Sequence, residues 1–277
     1  MSRNIFQVHD IERLITYVRF PCLFQHLLTF IRTWAQNVGI YGQVYGYLGG
    51  YSWAILCAYI CHKYIPSIQS PFSLSQFFTL VEKFFSFYSQ FNWSCSSLSL
   101  YPNHSSSDTR GSMRILCPSS PFNNSSRSTI NSTRHLIIQS FQNACDKTCE
   151  DILRLSNRFP DQTIQSVIQL TLSGQTTNEL NQWIGYMKSR LAHFLTDCED
   201  ECHLFVQTDN QIESRDKPLE KFYSLGFQVN EQVLSRHRDF YYCLNRFLDQ
   251  FKICPFRSET MKISFKLMSI DQWNRRT

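Results

Sequence analysis

The side chains able to do chemistry in this chain fall into three sets, and each spacing restricts what the set can do. Three cysteine pairs, Cys57/Cys61, Cys145/Cys149 and Cys198/Cys202, have four-residue spacing. That spacing puts two thiols on one helix face, whereas a structural zinc site takes a closer Cys-x-x-Cys knuckle with a second pair in register. The eleven cysteines are therefore read as free thiols of a reducing compartment, with no metal. Among the carboxylates, Asp108 and Asp146 are isolated, and Asp197, Glu199, Asp200 and Glu201 cluster at a helix end, where a solvated turn is the expected role. No Gly-Ser turn followed by Asp-x-Asp occurs anywhere. The cations concentrate late: from Arg236 to Arg276 nine Lys or Arg face four Asp or Glu. Such an end suits a polyanion, and equally a solvated basic face.

These residues need elements to hold them. The chain has 277 residues, 43% hydrophobic and 15% aromatic, with net charge +5 and mean hydropathy −0.28. That is material for one large or two ordinary packed domains, not for a disordered chain. Arg3, Asp10, Glu12 and Arg13 interrupt any apolar leader at the start, so the Asn-x-Ser/Thr triplets at Asn92, Asn103, Asn123, Asn124 and Asn131 carry no weight as glycosylation sites. Between Arg32 and Lys63 no charged residue occurs, but Gln36, Asn37 and Gln43 and five glycines from Gly39 to Gly50 break the run. A buried helical hairpin is expected there, and no membrane contact.

Periodicity supplies the rest. Leu23, Leu27, Leu28, Ile31 and Trp34 mark one helix, about 52–64 a second, and Phe77, Phe78, Val81, Phe84, Phe85 and Tyr88 a third. Residues 94–133 are rich in Ser, Asn and Pro and read as a long surface loop, followed by a helix over 134–155. After residue 161 the rhythm changes. Strands are expected at 166–172, 203–207, 222–229 and 261–267, with helices from Leu180 to Leu195 and over 236–251. The order is β-α-β-β-α-β, the split βαβ or ferredoxin-like arrangement, which RNA-recognition domains share with many unrelated proteins. The aromatic stacking signature of those RNA domains is absent.

Several stretches, taken in order, resemble the poly(A) polymerase family. The run from Ile31 to Tyr41, with Arg32, Trp34 and Ala35, continues into Gly46–Ala54, with Leu48, Gly49, Gly50 and Trp53. Its spacing matches, without a gap, the family pattern I-K-x-W-A-K-x-x-x-I-Y-x-N-x-x-G-[FY]-L-G-G-V-x-W-A. Ahead of it, Ser2 and Asn4 followed by Asp10 resemble the family's S-L-N-G…D-E-I segment. Behind it, Pro118 to Pro121, Asn124-Ser125 and Ser132-Thr133-Arg134 fall in the order of P-A-Y-P…N-S…S-T-R. Asn181 to Trp183 and the β-α-β-β-α-β order are similar to the family's C-terminal domain, with sparse identities.

The resemblance implies an α+β architecture: a helical middle domain over 1–161, with its Ser/Asn-rich loop at about 94–133, and an RRM-like RNA-binding domain over 162–277. It implies that Asn4, Arg32 and Tyr41 reach the triphosphate of ATP while Gly50 and Tyr51 line the base and ribose. A triphosphate requires fixed positive charge and donors, and glycine lets backbone approach a flat base. Three departures bear on this: arginine replaces the family lysine at Arg32, Gln43 stands for an asparagine, and Tyr51 for a valine. The family's metal-binding Asp residues belong to a nucleotidyltransferase domain that these residues do not include. The expectation is thus part of an enzyme of mRNA polyadenylation, with ATP as substrate, Mg or Mn only with that catalytic domain, and no adenylate polymerisation by this chain alone. The implied partners are the RNA 3′ end and 3′-end processing factors, in the nucleus. The alternative is a shortened, non-catalytic relative that binds RNA or a processing factor.

Overall fold

The computed structural model describes the chain except residues 1, 66–72, 103–105, 156–163, 203, 205, 214–218, 230 and 276–277, and except the side chains of 2–8 and 207–213. It is a mixed α+β structure of two compact units. The first comprises Met1–Gln43, Tyr47–Thr129 and Arg134–Ser156, the second Val44–Gly46, Ile130–Thr133 and Asn157–Thr277. The expected boundary at 161/162 lies outside the described residues.

The first unit is built on α1 (Ser2–Tyr17), α2 (Pro21–Asn37), α3 (Gly50–Tyr64) and α4 (Leu74–Gln90). Proline at the start of α2 removes no intrahelical bond, and Leu23, Leu27, Ile31 and Trp34 form its buried stripe. The helix stops at Gly39, whose φ of 80° is left-handed; the Gly39 N–H bonds to the Gln36 carbonyl (3.2 Å) and the Ile40 N–H to that of Ala35 (2.9 Å). This is a Schellman ending, and it turns the chain toward α3. Nine of the fifteen α3 residues are buried, so the charge-free stretch is the central helix of the unit, in contact with α1, α2 and α4. Among the described residues no single helix is long and apolar enough to cross a membrane.

Helix α4 begins in a capping box of Ser73 and Gln76 and buries Leu80, Val81, Phe84, Phe85 and Tyr88. The expected stripe is wider than the buried one, since Phe78 is 51% exposed. Facing rings fix the helices to one another. Trp34 lies 4.7 Å from Phe85, edge to face, and 5.8 Å from Phe141 of α5 (Asn131–Ala144), stacked; Trp53 is 6.0 Å from Phe141. Each aromatic pair adds about 1 kcal/mol to the area it buries.

The Ser/Asn-rich stretch is irregular, as expected, but it is not a surface loop. Leu98, Leu100, Met113, Ile115 and Leu116 are buried, together with Asn124, Ser125 and Ser126. Two short parallel strands, β1 (Ser97–Leu98) and β2 (Arg114–Ile115), lie inside it. The side-chain amide of Asn124 donates to the carbonyls of Arg110 (2.7 Å) and Met113 (2.8 Å), and its oxygen accepts from the N–H groups of Ile115 and Ser126 (both 3.0 Å) and the Ser126 hydroxyl (2.8 Å). One buried side chain thereby satisfies backbone that no sheet or helix would satisfy. The short helix α6 (Cys149–Arg154), capped by Thr148, follows α5.

In the second unit, β3 (Ser166–Ser173), α7 (Thr177–Asp200), β4 (Val206–Glu213), β5 (Glu220–Phe227), α8 (Glu231–Arg236), α9 (Arg238–Lys252), β6 (Lys262–Ser269) and α10 (Ile270–Asn274) follow in order. The four strands form one antiparallel sheet in the order β4-β5-β3-β6. Helices α7 and α9 pack together through Phe194 on Phe247 (4.7 Å) and Trp183 on Phe251 (5.0 Å). A smaller cluster of Ile164, Val167, Met268 and Trp273 includes α10, which no periodicity announced. The helix expected over 236–251 is α9, which starts two residues later than expected because the His237 ring nitrogen accepts from the Phe240 N–H (3.2 Å) and caps it.

Candidate functional site

Three of the five residues implied as ATP contacts converge in the first unit. Arg32 is an exposed residue of α2, and its guanidinium carbon lies 5.7 Å from the centroid of the Tyr41 ring. The Tyr41 hydroxyl in turn reaches the start of α3. A Cβ on Gly50 would stand 2.8 Å from that oxygen, so glycine at this position is what lets the phenol lie there. The close approach at Gly50 is thus taken up by Tyr41. The Asn4 side chain lies outside the described residues.

Tyr51, the next residue, belongs to the wall of a cavity of about 680 Å³, within the range that holds a nucleotide-sized ligand. Asp10, Gln43, Cys117, Ser125 and Arg127 contribute to the same wall. The hairpin and the Ser/Asn-rich segment are joined under it. Gln43 donates to the Ser125 carbonyl (2.7 Å), Ser52 donates to the same oxygen (3.1 Å), and the Ser125 hydroxyl donates to the Ile115 carbonyl (2.9 Å). From α1, Asp10 accepts from the Ser119 N–H (3.0 Å) and Arg13 donates to the Pro118 carbonyl (3.1 Å).

The cavity is polar in a particular way. The Tyr51 hydroxyl and the Ser128 hydroxyl of its lining are buried and have no hydrogen-bond partner among the described residues, and the same is true of neighbouring Ser119. Isolated buried hydroxyls cost about 1–3 kcal/mol each, so the packing beside the cavity carries a polar cost that the rest of the unit offsets. Burial, with the Asp10 charge adding to it, pushes the Tyr51 phenol far above its ordinary range and the Cys117 thiol up to about 12. Both groups therefore stay neutral, and the charged groups of the wall are Asp10 and Arg127. Arg127 is exposed and has no side-chain hydrogen bond or ion pair among the described residues. Ser125 and Asp10 fall within recognisable stretches of sequence, but Arg127 sits in a polar run whose composition gives no signal.

The acidic cluster has a different role from the solvated turn expected of it. Glu199 accepts from the N–H groups of Asn131 and Ser132 (both 2.7 Å) and from the Ser132 hydroxyl, all within the second unit. Asp197 and Glu201 both pair with Arg246 of α9, at 2.6 and 2.7 Å. All eleven cysteines are free, with Cys202 and Cys243 sulfurs 3.6 Å apart. Among the described residues no group of three or more His, Cys, Asp or Glu is placed to hold a metal ion.

Comparison with known proteins matches residues 23–161, half of the chain, to the Poly(A) polymerase central domain. The chain belongs to the poly(A) polymerase family. It is 28% identical over 260 residues to Nuclear poly(A) polymerase 1 of Arabidopsis thaliana, covering 83% of this chain and 34% of that protein. It is 25% identical over 213 residues to Poly(A) polymerase PAPalpha of Candida albicans, covering 68% and 36%. It is 27% identical over 222 residues to Poly(A) polymerase pla1 of Schizosaccharomyces pombe, covering 72% and 37%. The chain spans about a third of the length of these curated poly(A) polymerases.

Proposed function

We propose that this chain is the nucleotide- and RNA-contacting part of a poly(A) polymerase that adds AMP from ATP to RNA 3′ ends in the nucleus. The helical domain, over 1–161, supplies the ATP contacts. The domain over 162–277 is ferredoxin-like and RRM-like and contacts the RNA; the strand order β4-β5-β3-β6 with two helices packed together supports that reading. The catalytic metals and their carboxylates come from a nucleotidyltransferase domain, so the chain by itself does not polymerise adenylate.

The observation that carries the reading is the meeting of Arg32, Tyr41 and Gly50 at the start of α3, next in the chain to Tyr51, which lines the cavity. Arg32 offers a permanent positive charge and a planar fork of donors to a triphosphate. The Tyr51 side chain faces the nucleoside with its ring. Tyr51 does not close the cavity in place of the smaller family residue, since about 680 Å³ is open beside it.

Photolabelling with 8-azido-ATP tests this. The adduct is expected on the peptide that contains Tyr51, is competed by ATP, and weakens about tenfold in Arg32→Ala, the loss typical of one charge-assisted contact. Label confined to other peptides, or labelling indifferent to Arg32→Ala, overturns the assignment.

A further inference from the structure

We infer that a second groove of the first unit, beside the ends of α3 and α4, holds a nucleotide of a single-stranded nucleic acid. This inference does not rest on the ATP reading. The groove, about 470 Å³, is lined by the aromatic residues Tyr64, Phe87 and Phe91, by Gln90 and Asn92, and by Lys83. The three ring residues are half-buried, and Gln90 and Asn92 are exposed. Phe87 and Phe91 lie 5.7 Å apart with their planes inclined at 46°, and Phe91 is braced on Trp93 at 4.6 Å. Flat faces for stacking, amides that both donate and accept, and an ammonium for phosphate are what single-strand recognition requires.

The charges sort the two halves of that ligand. Helices α3 and α4 both end here, at Tyr64 and Gln90, and helix C-termini carry partial negative charge. An anion is therefore disfavoured inside the groove, and the base, which offers N–H donors, is favoured. The phosphates fall to the lysines at the rim. Lys63, next to the lining residue Tyr64, rests its ammonium over the Phe87 ring at 4.1 Å, a contact that a phosphate would draw it from, and has no carboxylate partner among the described residues, while Lys83 has only the exposed Glu82 at 3.4 Å. The aromatic stripe of α4 thus has two sides: Phe84, Phe85 and Tyr88 are buried in the core, and Phe87 belongs to the groove.

The test uses the full chain and a 5′-fluorescein oligoadenylate of fifteen nucleotides, with anisotropy followed over a range of salt. Lys63→Glu with Lys83→Glu is expected to weaken binding at least tenfold and to flatten the log–log salt slope by about 1.4, two phosphates on a single strand. Phe87→Leu, which keeps the bulk, is expected to weaken binding about tenfold with the slope unchanged. Affinity within twofold of wild type in both variants overturns the inference. Because the second unit is itself proposed to contact RNA, the site is also mapped with a 4-thiouridine oligonucleotide. Adducts are expected on the peptide covering 83–96, and adducts found only elsewhere overturn it. Free AMP that competes as well as the oligonucleotide also overturns it, since the groove would then serve a mononucleotide. ATP photolabelling at Tyr51 is read in parallel: its failure leaves a cross-link at 83–96 standing.

Discussion

Two regions of the first unit reach similar burial by opposite means. The hairpin of α2 and α3 with α4 and α5 is held by rings: Trp34, Trp53, Phe85 and Phe141 touch edge to face or stacked, with no hydrogen bond needed between them. The segment over 94–133 is buried around polar side chains, and Asn124 alone bonds to Arg110, Met113, Ile115 and Ser126. Dispersion and burial tolerate a change of shape, because many weak contacts can be redistributed. Hydrogen bonds to otherwise unsatisfied backbone do not, because each lost partner leaves a dry polar group. The candidate ATP cavity has walls from both regions, Tyr51 from one and Ser125 and Arg127 from the other.

The contrast can be broken by apolar substitution in each region. Asn124→Leu is expected to cost about 4 kcal/mol in urea unfolding, the sum of several abandoned backbone partners. Phe141→Leu, deeper in the core, is expected to cost only about 1.5 kcal/mol. Equal losses would show that the Ser/Asn-rich segment is not held by its polar hub. Next in size is Ser52→Ala, which removes one donor to Ser125 while Gln43 keeps the other; about 1 kcal/mol is expected. Smaller still in stability is Gly50→Ala. Its methyl would meet only the tip of Tyr41, 2.8 Å away, so unfolding should shift by less than about 1 kcal/mol as the phenol moves aside. ATP photolabelling should nonetheless fall. Full labelling in Gly50→Ala would separate Tyr41 from the nucleotide site.

The same contrast explains what could be read in advance. Apolar periodicity recurs every three or four residues, so Leu23, Leu27, Ile31 and Trp34 announced α2, and Leu180, Trp183, Met187 and Leu191 announced α7. Side-chain-to-backbone bonds have no period. Nothing in the composition of 94–133 distinguishes Asn124, buried with every polar atom used, from Asn123, exposed at the cavity. The start of α9 at Arg238 was hidden for a similar reason, since its cap is one ring nitrogen within the polar run from Ser235 to Asp239. The proposed ATP contacts Arg32, Tyr41, Gly50 and Tyr51 were legible only as a pattern of residue types at fixed spacing. The meeting of Arg32, Tyr41 and Gly50 required the Schellman turn at Gly39 and the cleared space at Gly50, both properties of backbone. Arg127 had no such pattern around it.

The acidic end of α7 gives the smallest effect and a third case, polar contacts that remain in water. The Arg246 guanidinium, assisted by the Cys243 thiol, holds the Glu201 carboxyl below its ordinary range. A carboxyl lowered in the folded state stabilises fully above its unfolded value, about 4.3, and that stabilisation is lost as pH falls through the lower folded value. The unfolded chain then binds the proton that the folded chain refuses. Glu201 is 42% exposed and Arg246 37%, so solvent screens the pair and only a slight effect is expected. Arg246→Met should therefore leave unfolding nearly unchanged below pH 3 and slightly easier at pH 6, with the wild-type difference between those two pH values reduced. A variant as sensitive to pH as the wild type would assign the acid response to carboxylates other than Glu201.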